Sequence, residues 1–214
     1  MSRGFIYLCL VLAPCSAWCD WALSEGFESE ELLGWQTGRD LPQDPNNPGH
    51  EVGWEVSAST DRAYRGDRSL RLFIDGRQDD GTVWVARSLP VASGSEVQLQ
   101  LRFWSPFKGS ANNLAYAVGY IGRRAPENEQ DFVRIAPVAD VGEWDLLVLT
   151  DTVRHDASMD DEIWIAVGFT VVWETKQTYY IDDVRVDTTS AGRTTAVEQQ
   201  RWGAMKSRWR VRAP

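Results

Sequence analysis

The chain has few cysteines and histidines, and both shortages narrow the range of possible functions. All three cysteines lie in the first 19 residues, so no pair remains to cross-link the rest of the chain. The only histidines are His50 and His155. No His-Glu-x-x-His pair, Gly-x-Ser-x-Gly elbow or glycine-rich phosphate loop occurs. The sequence therefore contains few residues that could act as catalytic groups.

Long apolar runs are also missing, apart from residues 4–13 at the N-terminus. This run follows one positive charge and is too short to span a bilayer, which is typical of a secretory signal peptide. Small residues before the expected site favour cleavage after Ala17, with cleavage after Cys19 as the alternative. Pro14 and Trp18, which precede the two nearby cysteines, fit a lipoprotein signal poorly. We expect a secreted or periplasmic protein with residues 1–17 removed and no transmembrane segment.

Positive charge is scarce in the main part of the chain. Residues 18–190 contain 15 Lys and Arg against 30 Asp and Glu, a net charge of −15, whereas residues 191–214 carry a net charge of +5. Such an acidic body repels nucleic acid and other polyanions. A neutral or cationic glycan, a metal ion or another protein is the easier partner. The shift in composition divides the chain into a domain at 18–190 and a basic tail at 191–214.

The tail combines its positive charges with two tryptophans. If it is helical, Trp202, Met205 and Trp209 line one side, with basic residues along both borders. That arrangement suits an anionic surface, which could be lipid head groups, an acidic glycan or the domain's own acidic body. A flexible C-terminal tail is the simpler prediction.

From Glu51 onward, apolar residues recur with a period of two, which is the pattern of half-buried strands. In the clearest run, an apolar row alternates with a polar row that also holds Arg102 and Trp104; the apolar row is Val97, Leu99, Leu101 and Phe103. Further apolar rows are Leu70-Leu72-Ile74, Val83-Val85, Leu114-Tyr116-Val118-Tyr120, Trp144-Leu146-Val148 and Ile163-Ile165-Val167-Phe169. About seven to nine strands without a long helical pattern predict an all-β fold, an antiparallel β-sandwich of the jelly-roll type.

The order of several short motifs resembles the galactose-binding-like jelly roll of bacterial carbohydrate-binding modules. The resemblance spans about residues 22–187 and rests on Gly26-Phe27-Glu28, Gly34-Trp35, Gly53-Trp54-Glu55-Val56, Ala63 to Leu72, Val97-Gln98-Leu99 and Tyr180-Ile181-Asp182-Asp183-Val184. It implies a structural calcium ion near the joined chain ends, with Glu28, Asp182 and Asp183 as ligands. Carboxylates and carbonyls suit calcium, which binds six to eight oxygen atoms. Alternatively, one aspartate caps a turn and the other is solvated.

The resemblance also implies sugar binding, but its motifs do not locate the sugar. Aromatic faces stack on the C–H faces of sugar rings, while neighbouring polar groups bond the hydroxyls. Tryptophans in polar rows or near strand ends are therefore the candidates, together with one arginine: Trp84, Trp104, Trp164, Trp173 and Arg102. The alternative for each tryptophan is burial in the core. For Trp35, Trp54 and Trp144 we expect core positions.

These observations predict a secreted, non-catalytic carbohydrate-binding domain. One alternative is an extracellular domain that uses the same sandwich to bind a protein. Another is a polysaccharide lyase or hydrolase, for which His50, Glu51 and His155 would be the candidates.

Overall fold

The structure is a computed structural model that describes residues 19–76, 81–91, 95–106, 115–137, 142–152, 162–171 and 175–190. These ranges contain eleven strands and one short 3₁₀ helix (Glu129–Asp131). The strands are β1 (Cys19–Glu25), β2 (Gln36–Asp40), β3 (Trp54–Ser59), β4 (Ser69–Gly76), β5 (Gly81–Pro90), β6 (Ser95–Trp104), β7 (Ala115–Gly122), β8 (Val133–Pro137), β9 (Trp144–Thr152), β10 (Glu162–Val171) and β11 (Thr175–Ser190). No helix in the described ranges is long and apolar enough to cross a membrane. The signal peptide at 1–17, the tail at 191–214, His155 and Trp173 lie outside the described residues.

The strands form two antiparallel sheets. One sheet has six strands in the order β3-β4-β11-β6-β9, and β1 pairs with the second half of β11. The other has five strands in the order β2-β5-β10-β7-β8. Apolar rows from both sheets form one continuous core between them. The predicted fold class, an antiparallel β-sandwich, is confirmed.

Strand β6 shows how the sequence pattern produces the core. The four apolar residues of its alternating row are fully buried, while Gln98 and Gln100 of the other row are only partly covered. Below this row, Tyr179 stacks on Phe103 with ring centres 5.8 Å apart and contacts Phe169 at 4.4 Å. Full burial of a large apolar side chain contributes about 1.5–3 kcal/mol. The aromatic contacts therefore join the two sheets near the middle of the sandwich.

In β7 and β9 the sequence located the strands correctly but assigned the wrong face to the core. The outward row of β7 contains Tyr116 and Tyr120, while alanines on the other face enter the core. In β9, Leu147 packs against the core, whereas Leu146 is 50% exposed. Both alternating rows of these strands are apolar, so a period of two does not identify the buried face.

The two chain ends of the domain meet as expected. Strand β1 pairs antiparallel with β11, from Cys19 opposite Thr189 to Glu25 opposite Val184. Just beyond this ladder, Phe27 has φ 55° and Asp183 has φ 48°, an unusual conformation for non-glycine residues. Such a conformation costs about 1–3 kcal/mol and persists only where the surrounding structure enforces it. Asp183 is itself one of the carboxylates expected to bind calcium, and Phe27 precedes another, Glu28.

Candidate functional site

The outer face of the five-stranded sheet carries aromatic side chains above a floor of small residues. Trp84, Ala86 and Ala166 form a buried cluster there that is separate from the main core. Tyr120, Phe132 and Trp164 are partly exposed and pack against this cluster. A sandwich needs only the inner face of each sheet for its core, so a second aromatic cluster on the outside requires another explanation.

Trp84 is the largest member of this buried cluster. A Cβ atom on Gly38 would lie 2.2 Å from the Trp84 ring, so the indole lies across the neighbouring strand where only glycine leaves room. Phe132 covers the ring from above, with centres 4.9 Å apart, and Trp84 is 3% exposed. Trp84, which the sequence placed among the ligand-binding residues, therefore has no open ring face for a sugar.

The cover belongs to the connection between β7 and β8, residues 123–132, which we call the strap. Asp131 organises it internally by accepting backbone hydrogen bonds from Glu127 at 2.8 Å and Asn128 at 3.3 Å, and by pairing with Arg124 at 3.3 Å. The backbone hydrogen bond from Glu127, followed by the others, lowers the pKa of Asp131 below its usual range. The strap is thus stabilised with Asp131 in its ionised form.

Both ends of the strap are attached to the sheet. The Tyr120 hydroxyl donates to the Arg124 carbonyl at 2.9 Å, and the Glu129 backbone N–H donates to Asp40 Oδ2 at 2.9 Å. Arg134 on β8 pairs with the Glu129 carboxylate at 3.1 Å. The strap therefore reaches from β7 to the last residue of β2, at the opposite edge of the sheet.

A cavity of about 250 Å³ lies where the strap meets β2. This volume is slightly below the ~300 Å³ at the lower end of small-molecule sites, so the cavity suits a single ring better than a long chain. Its lining combines carboxylates, an amide, backbone and two apolar side chains: Asp40, Leu41, Pro42, Gly81, Glu129 and Gln130. Hydroxyl-bonding groups beside apolar carbons are suitable for a sugar.

Trp164 lies at the other end of this face and is partly exposed. Its neighbours in the strand register are Ser88 on β5 and Gly122 on β7, whose side chains are short. Tyr120 leans over Gly122, since a Cβ atom there would lie 2.0 Å from the tyrosine hydroxyl. Trp164 is thus the predicted ligand residue of this face that keeps access to solvent, and a tyrosine flanks it.

The outer face of the six-stranded sheet holds a second aromatic group. Trp104 lies on the predicted polar side of β6, but it is 6% exposed. The Arg62 guanidinium covers its ring at 3.7 Å, and Tyr180 contacts it edge-on at 5.5 Å. Arg62 precedes β4 on the connecting loop, so no local sequence pattern indicates that it lies over Trp104.

Arg102, two residues before Trp104, extends this group. Its guanidinium lies 4.5 Å from the centre of the Tyr64 ring, and Tyr64 contacts Trp144 edge-on at 6.0 Å. Trp144, expected in the core, therefore lies on the outer face, opposite Trp104 in the register. We call Arg62, Tyr64, Arg102, Trp104 and Trp144 the arginine–aromatic patch.

Two of the three expected calcium ligands come together at the chain ends. Glu28 Oε1 and Asp182 Oδ1 each lie 3.8 Å from the position that a Cβ atom on Gly26 would occupy. Glu28 Oε2 accepts the Asp67 backbone N–H at 3.0 Å. Gly66 has φ 68°, and a Cβ atom there would lie 1.9 Å from Glu28 Oε1. The loop before β4 thus closes onto Glu28 only because residue 66 is glycine.

Asp182 is buried at 1% exposure. One carboxylate oxygen accepts backbone hydrogen bonds from Tyr64 at 2.7 Å and Arg65 at 3.0 Å, and the other accepts from Asp183 at 2.7 Å. Burial nevertheless raises the pKa of Asp182 above its usual range. Within the described ranges Asp182 forms no ion pair, so its negative charge lacks a counter-charge.

Asp183 has different partners from the other two acids. Its Oδ1 atom accepts from Arg185 Nε at 3.1 Å, and Arg65 lies 3.9 Å from Oδ2. A carboxylate held by arginine is a poor addition to a cation site. No group of three or more metal-ligating side chains occurs in the described part of the chain. Main-chain carbonyls and water would have to complete a calcium shell around Glu28 and Asp182.

Of the residues considered for catalysis, His50 and Glu51 lie within the described ranges. The His50 backbone N–H donates to Asn47 at 3.1 Å, and its carbonyl accepts from Asp44 at 2.8 Å, within one turn. Glu51 forms an ion pair with Arg39. The backbone contacts place His50 in a turn of the long loop between β2 and β3, and the ion pair joins Glu51 to β2.

Comparison with known proteins gives structural matches only. No protein-family description matches the sequence, and no curated protein matches it. The CBM22-1–CBM22-2 tandem domain of Paenibacillus barcinonensis Xyn10C matches with a TM-score of 0.50 at 16% identity, over 86% of this chain and 49% of that chain. Its CBM22-1 xylan-binding domain alone gives a TM-score of 0.49 at 16% identity, over 81% and 97%. This chain has the jelly-roll fold of the carbohydrate-binding modules.

The same jelly roll also occurs in an enzyme. A Stig cyclase, Fisc from Fischerella sp. TAU, matches with a TM-score of 0.52 at 10% identity, over 81% of this chain and 100% of that chain. Identities this low establish the fold and leave the activity open. The function has to be argued from the faces of this particular jelly roll.

Proposed function

We propose that this jelly roll is an exported carbohydrate-binding domain that holds a neutral oligosaccharide on the outer face of its five-stranded sheet. The observation that carries the proposal is the construction of that face: aromatic side chains surround a floor of small residues, and a 250 Å³ cavity opens at one end. Trp164 supplies the exposed aromatic surface at the other end. Export is inferred from residues 1–17 alone.

The strap gives the proposed site a fixed shape. A binding face that is rigid before the sugar arrives loses less conformational entropy on binding. The strap also limits the site, because Phe132 blocks the centre of the face above Trp84. We therefore expect a short oligosaccharide whose units contact Trp164 or enter the cavity beside Asp40, and no stacking on Trp84.

Affinity electrophoresis of residues 18–214 in a panel of neutral polysaccharides tests this function. Trp164→Ala should abolish most of the retardation, because a sugar ring stacks on an aromatic side chain only where the ring face is open. Trp144→Ala is the matched control, because Trp144 is a partly exposed tryptophan on the outer face of the other sheet. The proposed site would be refuted if both variants and the unmodified protein were retarded equally. It would also be refuted if no glycan retarded the unmodified protein.

We also propose a structural calcium ion at the chain ends, with Glu28 and Asp182 as side-chain ligands. The support is chemical: two carboxylates approach the same glycine, and the buried one has no counter-charge among the described residues. Bound calcium would supply that charge and join the start of the domain to β11. The Asp183 carboxylate, expected as a third ligand, is assigned to Arg185 instead.

Thermal unfolding with calcium and with a chelator tests the ion separately from the sugar. Calcium should raise the melting temperature of the unmodified protein, because a ligand that binds only the folded state stabilises it. Glu28→Gln should remove this increase, and Asp183→Asn should retain it. A melting temperature that does not respond to calcium would rule out the metal assignment without affecting the sugar site.

The protein-binding alternative has one specific observation in its favour. Leu146 and Val148, on the outer face of edge strand β9, are 50% and 43% exposed. Exposed apolar residues beside an unpaired strand edge are typical of contact surfaces. Leu146→Lys should leave glycan retardation unchanged if the sugar proposal is correct.

A further inference from the structure

The arginine–aromatic patch differs from most other arginine environments in the described part of the chain. Most arginines there pair with a carboxylate: Arg39 with Glu51, Arg71 with Glu55, Arg87 with Glu25, Arg124 with Asp131, Arg134 with Glu129 and Arg185 with Asp183. Within the described ranges, Arg62 and Arg102 form no ion pair with a carboxylate. In a domain with twice as many acids as bases, this is unexpected.

Both arginines are nevertheless held in place by aromatic rings. Arg62 lies over Trp104 at 3.7 Å, and Arg102 lies over Tyr64 at 4.5 Å. A guanidinium stacked on a ring keeps the N–H groups along its edges available for a planar acceptor. The Arg102 Nε atom is buried without a hydrogen-bond partner. A buried donor of this kind is rare and marks a position where the protein alone leaves the polar group unsatisfied.

The two arginines belong to one continuous surface. Arg102 and Trp104 lie two residues apart on the same face of β6, and Trp144 is opposite Trp104 on β9. Tyr64 bridges the two strands by contacting both Arg102 and Trp144. Gln100 is the next residue of the same row and is partly exposed. This surface therefore combines two guanidinium groups, aromatic rings and a side-chain amide on one face of the sheet.

We propose that the arginine–aromatic patch binds a carboxylate-bearing sugar, namely a uronic acid unit of an oligosaccharide. Guanidinium groups bind carboxylates through paired hydrogen bonds, which supplies both charge and orientation. The partly exposed side chain of Trp144 suits the C–H surface of a sugar ring. The side-chain carbonyl of Gln100, whose amide N–H donates to Gln98, suits the sugar hydroxyls. This site is separate from the proposed neutral-glycan site, because the two lie on opposite outer faces of the sandwich.

The negative charge of the domain does not exclude such a ligand. At physiological salt the Debye length is about 8 Å, so distant acids are largely screened from the patch. Of the nearby acids, Asp61 contacts Arg71 at 3.8 Å and the Tyr180 hydroxyl at 3.4 Å, and Asp182 is bonded to backbone N–H groups. A short acidic oligosaccharide therefore meets unpaired arginines, while a long polyanion also meets the repulsive remainder of the surface.

The test compares an acidic ligand with its neutral methyl ester. The α-1,4-linked trimer of galacturonic acid and its fully methyl-esterified form are titrated calorimetrically into the unmodified protein at 0.15 M salt. We expect the acid to bind about tenfold more tightly than the ester, because the ester lacks the charged group that forms hydrogen bonds with the guanidinium groups. Equal affinity for the two forms, or no binding of the acid, would overturn the proposal whatever the variants do.

Variants then assign the charge preference to the patch. Arg102→Met and Arg62→Met keep the apolar stem and remove the guanidinium, and each should reduce affinity for the acid by about tenfold while leaving affinity for the ester unchanged. Arg39→Met is the matched control, because Arg39 also stacks on a tryptophan, at 4.9 Å from the Trp54 ring, but has Glu51 as its partner. It should leave both affinities unchanged.

Two results would show that the arginines only pack against the rings. One is a lower melting temperature of Arg102→Met with an unchanged ratio of acid to ester affinity. The other is an equal loss of acid binding in Arg39→Met, which would indicate a general charge effect. Trp164→Ala should retain acid binding, so failure of this site and failure of the neutral-glycan site are distinguishable.

Discussion

Replacing Gly66 by alanine should destabilise the domain through two separable effects. The first is backbone strain, because Gly66 has φ 68°, a conformation that alanine adopts at a cost of about 1–2 kcal/mol. The second is a steric conflict, because the new Cβ atom would lie 1.9 Å from Glu28 Oε1. Glu28 then has to move and gives up the hydrogen bond from the Asp67 backbone N–H.

The second effect is small because that hydrogen bond is exposed to solvent. A net loss of about 1 kcal/mol is the central value for such a bond. The two effects together predict a decrease in unfolding free energy of about 2–3 kcal/mol. For a domain of this size, 1 kcal/mol corresponds to roughly 2–4 °C, so the melting temperature should fall by about 4–12 °C.

Gly49 provides a control that isolates the backbone effect. It has φ 89°, and a Cβ atom there would meet nothing within 4 Å. Gly49→Ala should therefore cost only about 1–2 kcal/mol. Urea unfolding, followed by tryptophan fluorescence in the presence of a chelator, measures both variants without any contribution from calcium.

A double-mutant cycle with Glu28→Ala then tests the steric effect itself. Once the Glu28 side chain is removed, Gly66→Ala should cost no more than Gly49→Ala, which gives a coupling energy of about 1 kcal/mol. Equal costs for Gly66→Ala and Gly49→Ala in the unmodified protein would refute the reasoning. So would a Gly66→Ala cost that is the same with and without Glu28.

Three further predictions concern the five-stranded sheet. Gly38→Ala should destabilise by about 2–4 kcal/mol in urea unfolding, because its Cβ atom would meet the neighbouring indole at 2.2 Å, whereas Gly53→Ala, with its nearest atom at 3.9 Å, should change stability little. Thr170→Val should cost about 1–3 kcal/mol by orphaning the buried Thr82 hydroxyl that donates to it at 2.9 Å, and the double valine variant should recover much of this loss. The lowered pKa of Asp131 means that its stabilisation is complete above about pH 4 and is lost as the pH falls through its folded-state pKa; the melting temperatures of the unmodified protein and Asp131→Ala should therefore converge in acid.

The sequence predicted the elements of the fold well where only one alternating row was apolar. In β6 the contrast between leucines and glutamines identified both the strand and its buried face. In β9 the run Leu146-Leu147-Val148 is apolar on both sides, so the strand was recognised and its face was not. Which row is buried there depends on the neighbouring sheet, which the local pattern does not encode.

The candidate sites show the same division between local and long-range information. The sequence identified Trp104 and Arg102 on one side of a strand, and Glu28 and Asp182 near opposite ends of the chain. It did not show that Arg62 would cover Trp104, because these residues are far apart in the sequence. Likewise, no alternating pattern in the strap residues indicates that they close one face of a sheet.

The sequence by itself determined the all-β class and the buried row of a strand such as β6, because these follow from residue type and spacing. The meeting of the chain ends was implied by the resemblance to a known family. Tertiary structure alone decided which tryptophans keep an open ring face. Trp84 and Trp164 both lie in the outward rows of adjacent strands, yet the strap covers Trp84 and leaves Trp164 partly exposed. Whether an outward residue is buried depends on a segment that long-range contacts bring over it. The alternating pattern of the strand does not indicate that segment.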